Sequence, residues 1–379
     1  MELETLRSGI DEIDTSITEL FCRRMGFAAD IARLKKEQNM PMYSGERERE
    51  ILSRISEEAG PELGSYARIL YASLLELSRS YQTRQTAGKS ALGEEIRQAM
   101  ERTSKTFPKE AVVACQGMPG ANSQIACDKL FSFANITYLR HFDGVFQAVE
   151  KGLCAYGVLP VENSSHGTVS SVYDLMARHR FYIVRSIKLH IHHCLLVNPG
   201  SDLSQIREVI SHEQAIGQCS RFFAEHPEIR TTICENTAVA AQQVAASGRT
   251  DLAAIASEDC ARLYGLSIAD KEVQDTPNNY TRFFVISKNM EIYPGADRLS
   301  IQFSVSNTPG ALARLIARFS ATGLNMTKLE SRPISGTDFQ YRFYVDVDAE
   351  AADEDVQSLL GELAEDTPDF VFLGCYKEI

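Results

Sequence analysis

Apolar positions divide this chain into three stretches of different rhythm. In the first, Leu3, Leu6, Ile10, Ile13, Ile17, Leu20, Phe27, Ile31 and Leu34 recur in alternating steps of three and four. That spacing keeps one stripe of a helix apolar and makes a heptad seam. One position of the seam is missing: Arg24 stands where the register calls for an apolar side chain. The helix is expected to end before Asn39-Met40-Pro41, because proline disfavours helical backbone in the residue preceding it. At ~1.5 Å per residue it would run roughly 50 Å, too far to be covered by a small monomeric domain. Two shorter helices are expected near 45–59 and 63–86, and an elongated helical dimer is the natural outcome.

Residues 86–107 are polar and rich in small side chains, as in a linker with some helical character. Beyond them, short apolar runs (AVVACQG, AYGVLPV, FYIVRSI, CLLVN, DLAAIA) alternate with helical stretches such as 213–225 and 237–247. That rhythm predicts an α/β domain. The third stretch follows Tyr293-Pro294-Gly295. It reads as strand 299–306, turn 307–310, helix 311–322, strands 324–332 and 339–347, helix 350–364 and strand 369–376. The order is βαββαβ, a ferredoxin-like unit. The expected layout is therefore multidomain: all-α at 1–88, a linker at 89–108, α/β at 109–290 and βαββαβ at 298–379.

Composition narrows the function. With 39 basic against 51 acidic side chains and a net charge of -12, the chain lacks the basic surface that phosphate backbones require. No apolar run approaches the ~18–20 residues of a membrane span, and MELETLRSGIDEIDTSI has no apolar signal core. The nine cysteines include no CxxC pair and no zinc spacing, which fits unpaired thiols in a reducing cytoplasm. No metal and no other cofactor is expected.

Polar groups in the helical stretch sit where packing alone would not put them. Arg24 interrupts the seam, Arg7 and Lys35 lie beside it, and Arg47 and Glu48 open the second helix. Ser78 and Gln82, four apart, share one face of the third. A guanidinium buried alone costs several kcal/mol, so it needs an anion. Snorkelling at the edge of a coiled coil or an internal ion pair fixing the register is one reading, and a site for a small dianion is the other. The pattern Leu6-Arg7…Ile13-Asp14, Arg23-Arg24, Ile31-Ala32-Arg33-Leu34-Lys35, Arg47-Glu48-Arg49-Glu50 and Ser78…Gln82 resembles the all-helical chorismate mutase family. The resemblance implies that Arg24 and Arg47 bind substrate carboxylates, with Arg7 reaching in from a partner chain and Ser78 also contacting substrate. Lys35 and Gln82 would hydrogen-bond the ether oxygen, and Glu48 the hydroxyl. Ser44 departs from relatives that carry an acidic residue there. A Claisen rearrangement needs no general base. It needs the substrate held compact and charge stabilised as the C–O bond breaks.

In the α/β stretch the polar residues lie at strand ends and turns. The segments are 117–123 (GMPGANS), 159–169 (LPVENSSHGTV), 211–219 (SHEQAIGQC), 236–238 (NTA) and 279–283 (NYTRF). His212 reads equally well as a helix cap, and His192-His193 has no ligand spacing for a metal. Together these segments resemble prephenate dehydratase from about 110 to 287, with Asn122 where many relatives have an aromatic residue. The resemblance implies a two-lobed fold with substrate between the lobes. Thr281 would be the catalytic hydroxyl, with Glu162, Asn163, Ser211 and Gln218 lining the site. Arg282 would bind a substrate carboxylate or brace its strand. Arogenate dehydratase shares these motifs, so the substrate stays open between prephenate and arogenate.

In the last stretch, Asn307-Thr308-Pro309-Gly310-Ala311-Leu312 and Glu330-Ser331-Arg332-Pro333 resemble the ACT domain, matching across about 298–379. In dehydratases these motifs bind phenylalanine between paired ACT domains, which implies Asn307, Gly310, Ala311, Leu312, Glu330, Ser331 and Arg332 as an effector site. The three resemblances together imply a chorismate mutase fused to a prephenate dehydratase and inhibited by phenylalanine. It would be a homodimer or higher homo-oligomer, without nucleic-acid or membrane partners. A solute sensor, or a mutase half serving only as a dimerisation arm, are the competing readings.

Overall fold

The computed structural model describes residues 3–38, 40, 43–86, 90–334, 336–338 and 340–379. The expected helix end at Asn39 and Pro41, and residues 87–89 at the expected linker, lie outside the described residues. Two compact units emerge, one of residues 1–101 with 298–372, the other of 102–297 with 373–379.

The first unit opens with α1 (Leu3–Glu37), α2 (Gly45–Glu58), α3 (Gly60–Thr86) and α4 (Ala91–Arg102). Helix α1 runs unbroken through Arg24. Its buried residues are Ala28, Ala29 and Ala32, small side chains that let α3 approach closely. The nine seam residues lie elsewhere on its surface, each 46–62% exposed.

The second unit holds, in chain order, β1 (Glu110–Gln116), α5 (Asn122–Leu130), β2 (Phe133–Leu139), α6 (Phe142–Glu150), β3 (Tyr156–Asn163), β4 (Gly167–Thr168), α7 (Ser170–Met176), β5 (Tyr182–His190) and β6 (Cys194–Val197). It continues with β7 (Glu208–Ser211), α8 (Glu213–Gly217), α9 (Ser220–Glu225), β8 (Arg230–Ile233), α10 (Thr237–Ser247), β9 (Leu252–Ala256), α11 (Glu258–Tyr264), β10 (Ser267–Asp270) and β11 (Tyr280–Ser287). The first lobe's strands lie in the order β5-β11-β3-β1-β2, with β1 parallel to both neighbours and β11 antiparallel to both of its own. The second lobe is the sheet β10-β6-β9-β7-β8. Its central strands read as continuous apolar runs because both faces are covered. Cys194 and Leu196 join the core on one face, and Leu195 and Val197 the core on the other. The chain crosses between the lobes at 191–193 and 271–279, where Ile191 N–H bonds Asn279 O at 2.7 Å. The helical stretch expected at 213–225 is two pieces, because Asp275 takes the N–H groups of Ser220 and Arg221 and starts α9 afresh.

The remaining elements are β12 (Arg298–Ser304), α12 (Ala311–Ala321), β13 (Asn325–Pro333), β14 (Tyr341–Asp348), α13 (Glu354–Asp366) and β15 (Val371–Glu378). In the first unit β14 is antiparallel to both β12 and β13. Helix α13 begins later than its sequence suggests, at the Asp353 cap, whose carboxylate accepts from Asp355 and Val356 N–H. The expected linker is corrected to a packed helix: α4 buries Gly93, Ile96 and Ala99. Its small residues mark close approach, since a Cβ on Gly361 of α13 would meet Ser90 Cβ at 2.5 Å.

Beside Ser90, α3 meets α13 through a buried carboxyl. Glu362 accepts from Ser80 Oγ at 2.8 Å, and its other oxygen is buried with no hydrogen-bond partner among the described residues. Burial pushes the Glu362 carboxyl up to about 7, against the Ser80 hydrogen bond, the cations Arg318 and Arg84, and with Asp366 adding to the rise. The folded protein therefore holds this proton more tightly than the unfolded chain does. The stabilisation is present below the ordinary carboxylate range and is lost as pH rises through about 7. Between pH 5 and 8 the wild type should lose about 2–3 kcal/mol more stability than Glu362→Gln. Urea unfolding at both pH values measures this, and parallel slopes for the two proteins would exclude it.

Candidate active sites

Helix α3 turns Ser78 and Gln82 toward α1. Arg24 donates to Ser78 Oγ, Ser78 donates to Leu74 O at 2.8 Å, and Gln82 Nε2 donates to Ala28 O at 3.1 Å. Burial pulls the Arg24 guanidinium below its usual range, with Tyr71 acting the other way. Among the described residues Arg24 has no ion pair. A half-buried cation leaning on a neutral hydroxyl is a ready receptor for a carboxylate. Lys35 is half-buried on the same helix.

The other expected groups are dispersed. Arg47 is exposed and pairs with Glu50 at 3.0 Å, one turn along α2. Arg7 is exposed and seventeen residues up α1 from Arg24, roughly 25 Å along the axis. Glu48 forms an ion pair with Arg79 of α3, and that guanidinium sits 5.3 Å from the Tyr43 ring centre. Within one chain, then, Arg24 lies beside Ser78 with Lys35 on the same helix, and Arg47 and Arg7 are at the surface, Arg7 being the residue expected to serve a partner chain. Arg79 went unnoticed in the sequence, where the only signal was its i,i+3 spacing from Glu76.

In the second unit, Thr281 starts β11 beside the end of β3. Asn163 Oδ1 accepts the N–H groups of Ser165 and His166 at 3.0 and 3.1 Å, which fixes the amide so that Nδ2 points the other way. That Nδ2 donates to Thr281 Oγ1 at 3.0 Å and Asn279 Oδ1 at 2.9 Å. The Thr281 oxygen therefore accepts, and its own proton is left to donate. Asn279 Nδ2 and His193 Nε2 both donate to Gln218 Oε1, at 3.1 and 2.7 Å, and Gln218 Nε2 donates to His166 Nδ1 at 3.0 Å. Burial lowers the His193 pKa, opposed by Gln218 and aided by His192, which favours the neutral ring. Asn163, Gln218 and Thr281 are thus joined through Asn279, His166 and His193, which motif reading passed over.

Two expected site residues sit outside this cluster. Of the two readings left open for Arg282, the geometry fits the strand brace: it is buried and faces away from its neighbour Thr281, pairing with Glu378 at 2.7 Å and donating to Ser186 and Tyr376. Successive strand residues point to opposite faces, so the two cannot share a cleft. Ser211 is fully buried and its hydroxyl donates to Ile255 O at 2.6 Å, within the second lobe's sheet. Glu162 lies half-buried, in register with Thr168 and Arg282. His212 caps α8, accepting Gln214 N–H.

A cavity of about 950 Å³ is lined by Asn122, Leu189, His190, His192, Arg262 and Lys271 among others, and not by Thr281, Asn163 or Gln218. Leu189, the cross-strand neighbour of Thr281, is its nearest link in the sheet to that cluster. Gly120 holds the turn before α5 at φ +90, and its carbonyl accepts the Cys260 thiol of the other lobe at 3.2 Å. A side chain there would meet that sulfur at 2.9 Å, so the turn demands glycine on two counts. Among the described residues no group of His, Cys, Asp and Glu could hold a metal ion, and no helix is long and apolar enough to cross a membrane.

Residues 6–83 match the family described as chorismate mutase type II, and residues 113–291 match prephenate dehydratase. The chain is 31% identical to the bifunctional chorismate mutase/prephenate dehydratase of Enterobacter agglomerans, over 99% of this chain and 95% of that one. It is 40% identical to arogenate dehydratase/prephenate dehydratase 2, chloroplastic, of Arabidopsis thaliana, over 70% of this chain and 72% of the other. Among solved structures, prephenate dehydratase from Arthrobacter aurescens in complex with L-Phe superposes with a TM-score of 0.65 at 27% identity, covering 70% of this chain and 89% of that one. With both catalytic halves matched and nearly the full length aligned, the chain belongs to the bifunctional chorismate mutase/prephenate dehydratase family and carries its two activities, chorismate to prephenate and prephenate to phenylpyruvate.

Proposed function

We propose that the two reactions run at the two clusters described, that two copies complete each mutase site, and that phenylalanine acts through the βαββαβ end. Arg24 takes a chorismate carboxylate, Arg47 a second, Lys35 and Gln82 the ether oxygen, and Glu48 the hydroxyl, with Ser78 holding Arg24. Thr281 gives the departing hydroxyl of prephenate its hydrogen bond, with Asn163 and Gln218 around it, while Glu162, paired in register with Arg282, lies on the other face of the strand. The donation from Asn163 to the Thr281 oxygen is the observation that carries the dehydratase assignment, because it frees the threonine proton for substrate. Ser211 supports the site through the sheet.

A second copy is the occupant we assign to the α1 seam. Nine large apolar residues exposed along one helix supply its driving force. Arg7, too far from its own Arg24, then serves the partner's site. This arrangement has a distinctive test. Arg7→Ala and Arg24→Ala proteins should each lack mutase activity, yet after mixing and subunit exchange about a quarter of wild-type activity should return. Each mixed dimer regains one intact site. No recovery in mixtures shown to contain mixed dimers would refute the shared site.

For the effector, the sheet register supports one location for both motifs. Ser304, just before 307–312, and Arg332 both align with Arg342 of β14, so the two segments leave the sheet at the same end. Gly310 opens α12 at φ +76, leaving backbone groups accessible to an amino acid. The relative solved with L-Phe supports the ligand. Following chorismate loss and phenylpyruvate formation separately, with and without phenylalanine, tests the whole assignment. Suppression of phenylpyruvate formation by phenylalanine is expected, and its loss in Gly310→Val would tie it to this turn. Conversion of arogenate in preference to prephenate would change the substrate but leave the site in place.

A further inference from the structure

Helix α3 has two working faces. Ser78 and Gln82 look toward α1, whereas Glu76, Ser80 and Arg84, also spaced by four, form ion pairs or hydrogen bonds with the C-terminal helices of the same unit. The strongest of these contacts is buried. Arg318 of α12, 7% exposed, holds Asp366 through two hydrogen bonds of 2.9 and 2.7 Å and reaches Glu76 at 2.6 Å. Glu76, 4% exposed, spends its second oxygen on Arg79, and Arg79 spends its other nitrogen on Glu48. Alternating charges thus run Asp366, Arg318, Glu76, Arg79, Glu48, from the C-terminal helices to the second helix of the mutase block. Burial opposes the charge on both arginines, but their acidic neighbours more than offset it.

We propose that Arg318 and Arg79 are positioning residues for chorismate rearrangement, acting through Glu76 to hold Glu48 where it meets the substrate hydroxyl. The proposal rests on the assignment of Glu48 to the mutase site. Arg79 is shared between two carboxylates, and Arg318 settles how. With Arg318 present, Glu76 already has a cation on one oxygen, and Arg79 can span from its second oxygen to Glu48. Without Arg318, the buried Glu76 keeps a single cation, which draws Arg79 inward and releases Glu48 from its fixed rotamer. Mutase geometry then depends on a residue 242 positions from Glu76 in the chain. A misplacement of about 1 Å remote from the chemistry is enough to cost on the order of 10- to 100-fold.

The test is a double-mutant cycle on the full chain, with mutase kcat and KM read from chorismate loss and dehydratase activity from supplied prephenate. Arg318→Gln should lower mutase kcat at least about tenfold and leave dehydratase kcat/KM within about twofold. On a Glu48→Gln background the same change should add less than about twofold, because its route runs through Glu48. Arg318→Lys, which keeps a cation beside Glu76, should recover part of the loss. Equal losses on the two backgrounds, or equal losses of both activities, would overturn the network. A crippled Glu48→Gln enzyme beside an unaffected Arg318→Gln one would also overturn it, leaving Glu48 in the site. An unaffected Glu48→Gln enzyme would remove Glu48 from the site and the network's role with it. If Arg318→Gln does not fold, Arg79→Gln, only half-buried, carries the same cycle.

Discussion

Thr281→Val should lower phenylpyruvate formation from prephenate by roughly 100-fold or more, while chorismate consumption stays within about twofold of wild type. Prephenate loses a carboxylate as CO2 and a hydroxyl as water, and the ring becomes aromatic. That gain supplies the driving force, so the enzyme's task is to hold the ring and help an otherwise poor leaving group. The departing oxygen gathers negative charge as its C–O bond lengthens. A donor preset at that position stabilises the charge without reorganising. Thr281 is such a donor because of how its neighbours are fixed. Ser165 and His166 lock the Asn163 oxygen, its NH2 faces the threonine, and the hydroxyl is left as donor. Valine keeps the shape but removes the whole hydroxyl, including the oxygen that accepts from Asn163; because Asn163 keeps Asn279 as a partner, the protein should still fold, with at most a small loss of stability. Serine keeps the donor and should retain most of the activity. A Thr281→Val enzyme working at more than half the wild-type rate would end this assignment.

The helices were legible because their signals are local. Steps of three and four reveal α1, and the Pro-Gly turn before Ala311 marks α12. What misled is equally physical. The small residues near 90–99 look like a linker, but smallness also serves helices that pack closely, and Ser90 against Gly361 shows which applies. Arg282 beside Thr281 could be read as a carboxylate ligand or a strand brace, and strand geometry, which sends adjacent side chains to opposite faces, decides for the brace. There the guanidinium meets Glu378, nearly a hundred positions away. The ionic chain through Glu76 is illegible for the same reason, since nothing local in Glu76 or Arg318 announces a partner 242 residues off. The motifs named Asn163, Gln218 and Thr281, which hydrogen bonds through Asn279 join, but the bonds that orient Thr281 needed coordinates.

Arg24→Met should abolish chorismate rearrangement, by about 1,000-fold in kcat/KM, and at the same time leave the protein as stable as wild type or more so. The two effects have one cause. Arg24 sits half-buried against α3, desolvated enough for its pKa to fall, with Ser78 as its hydrogen-bond partner and no ion pair among the described residues. Its charge is costly while the site is empty and is matched only when a carboxylate arrives. Methionine fills similar space there without that cost. Lysine would restore the charge but not the planar fork that binds a carboxylate through two hydrogen bonds, so Arg24→Lys should recover only part of the activity. The rival role, a cation that fixes helix register, makes the opposite forecast: a residue kept for structure lowers stability when removed. Urea unfolding of Arg24→Met beside its mutase assay separates the two. Lost activity with undiminished stability identifies a substrate ligand, and lost stability with residual activity identifies a register device.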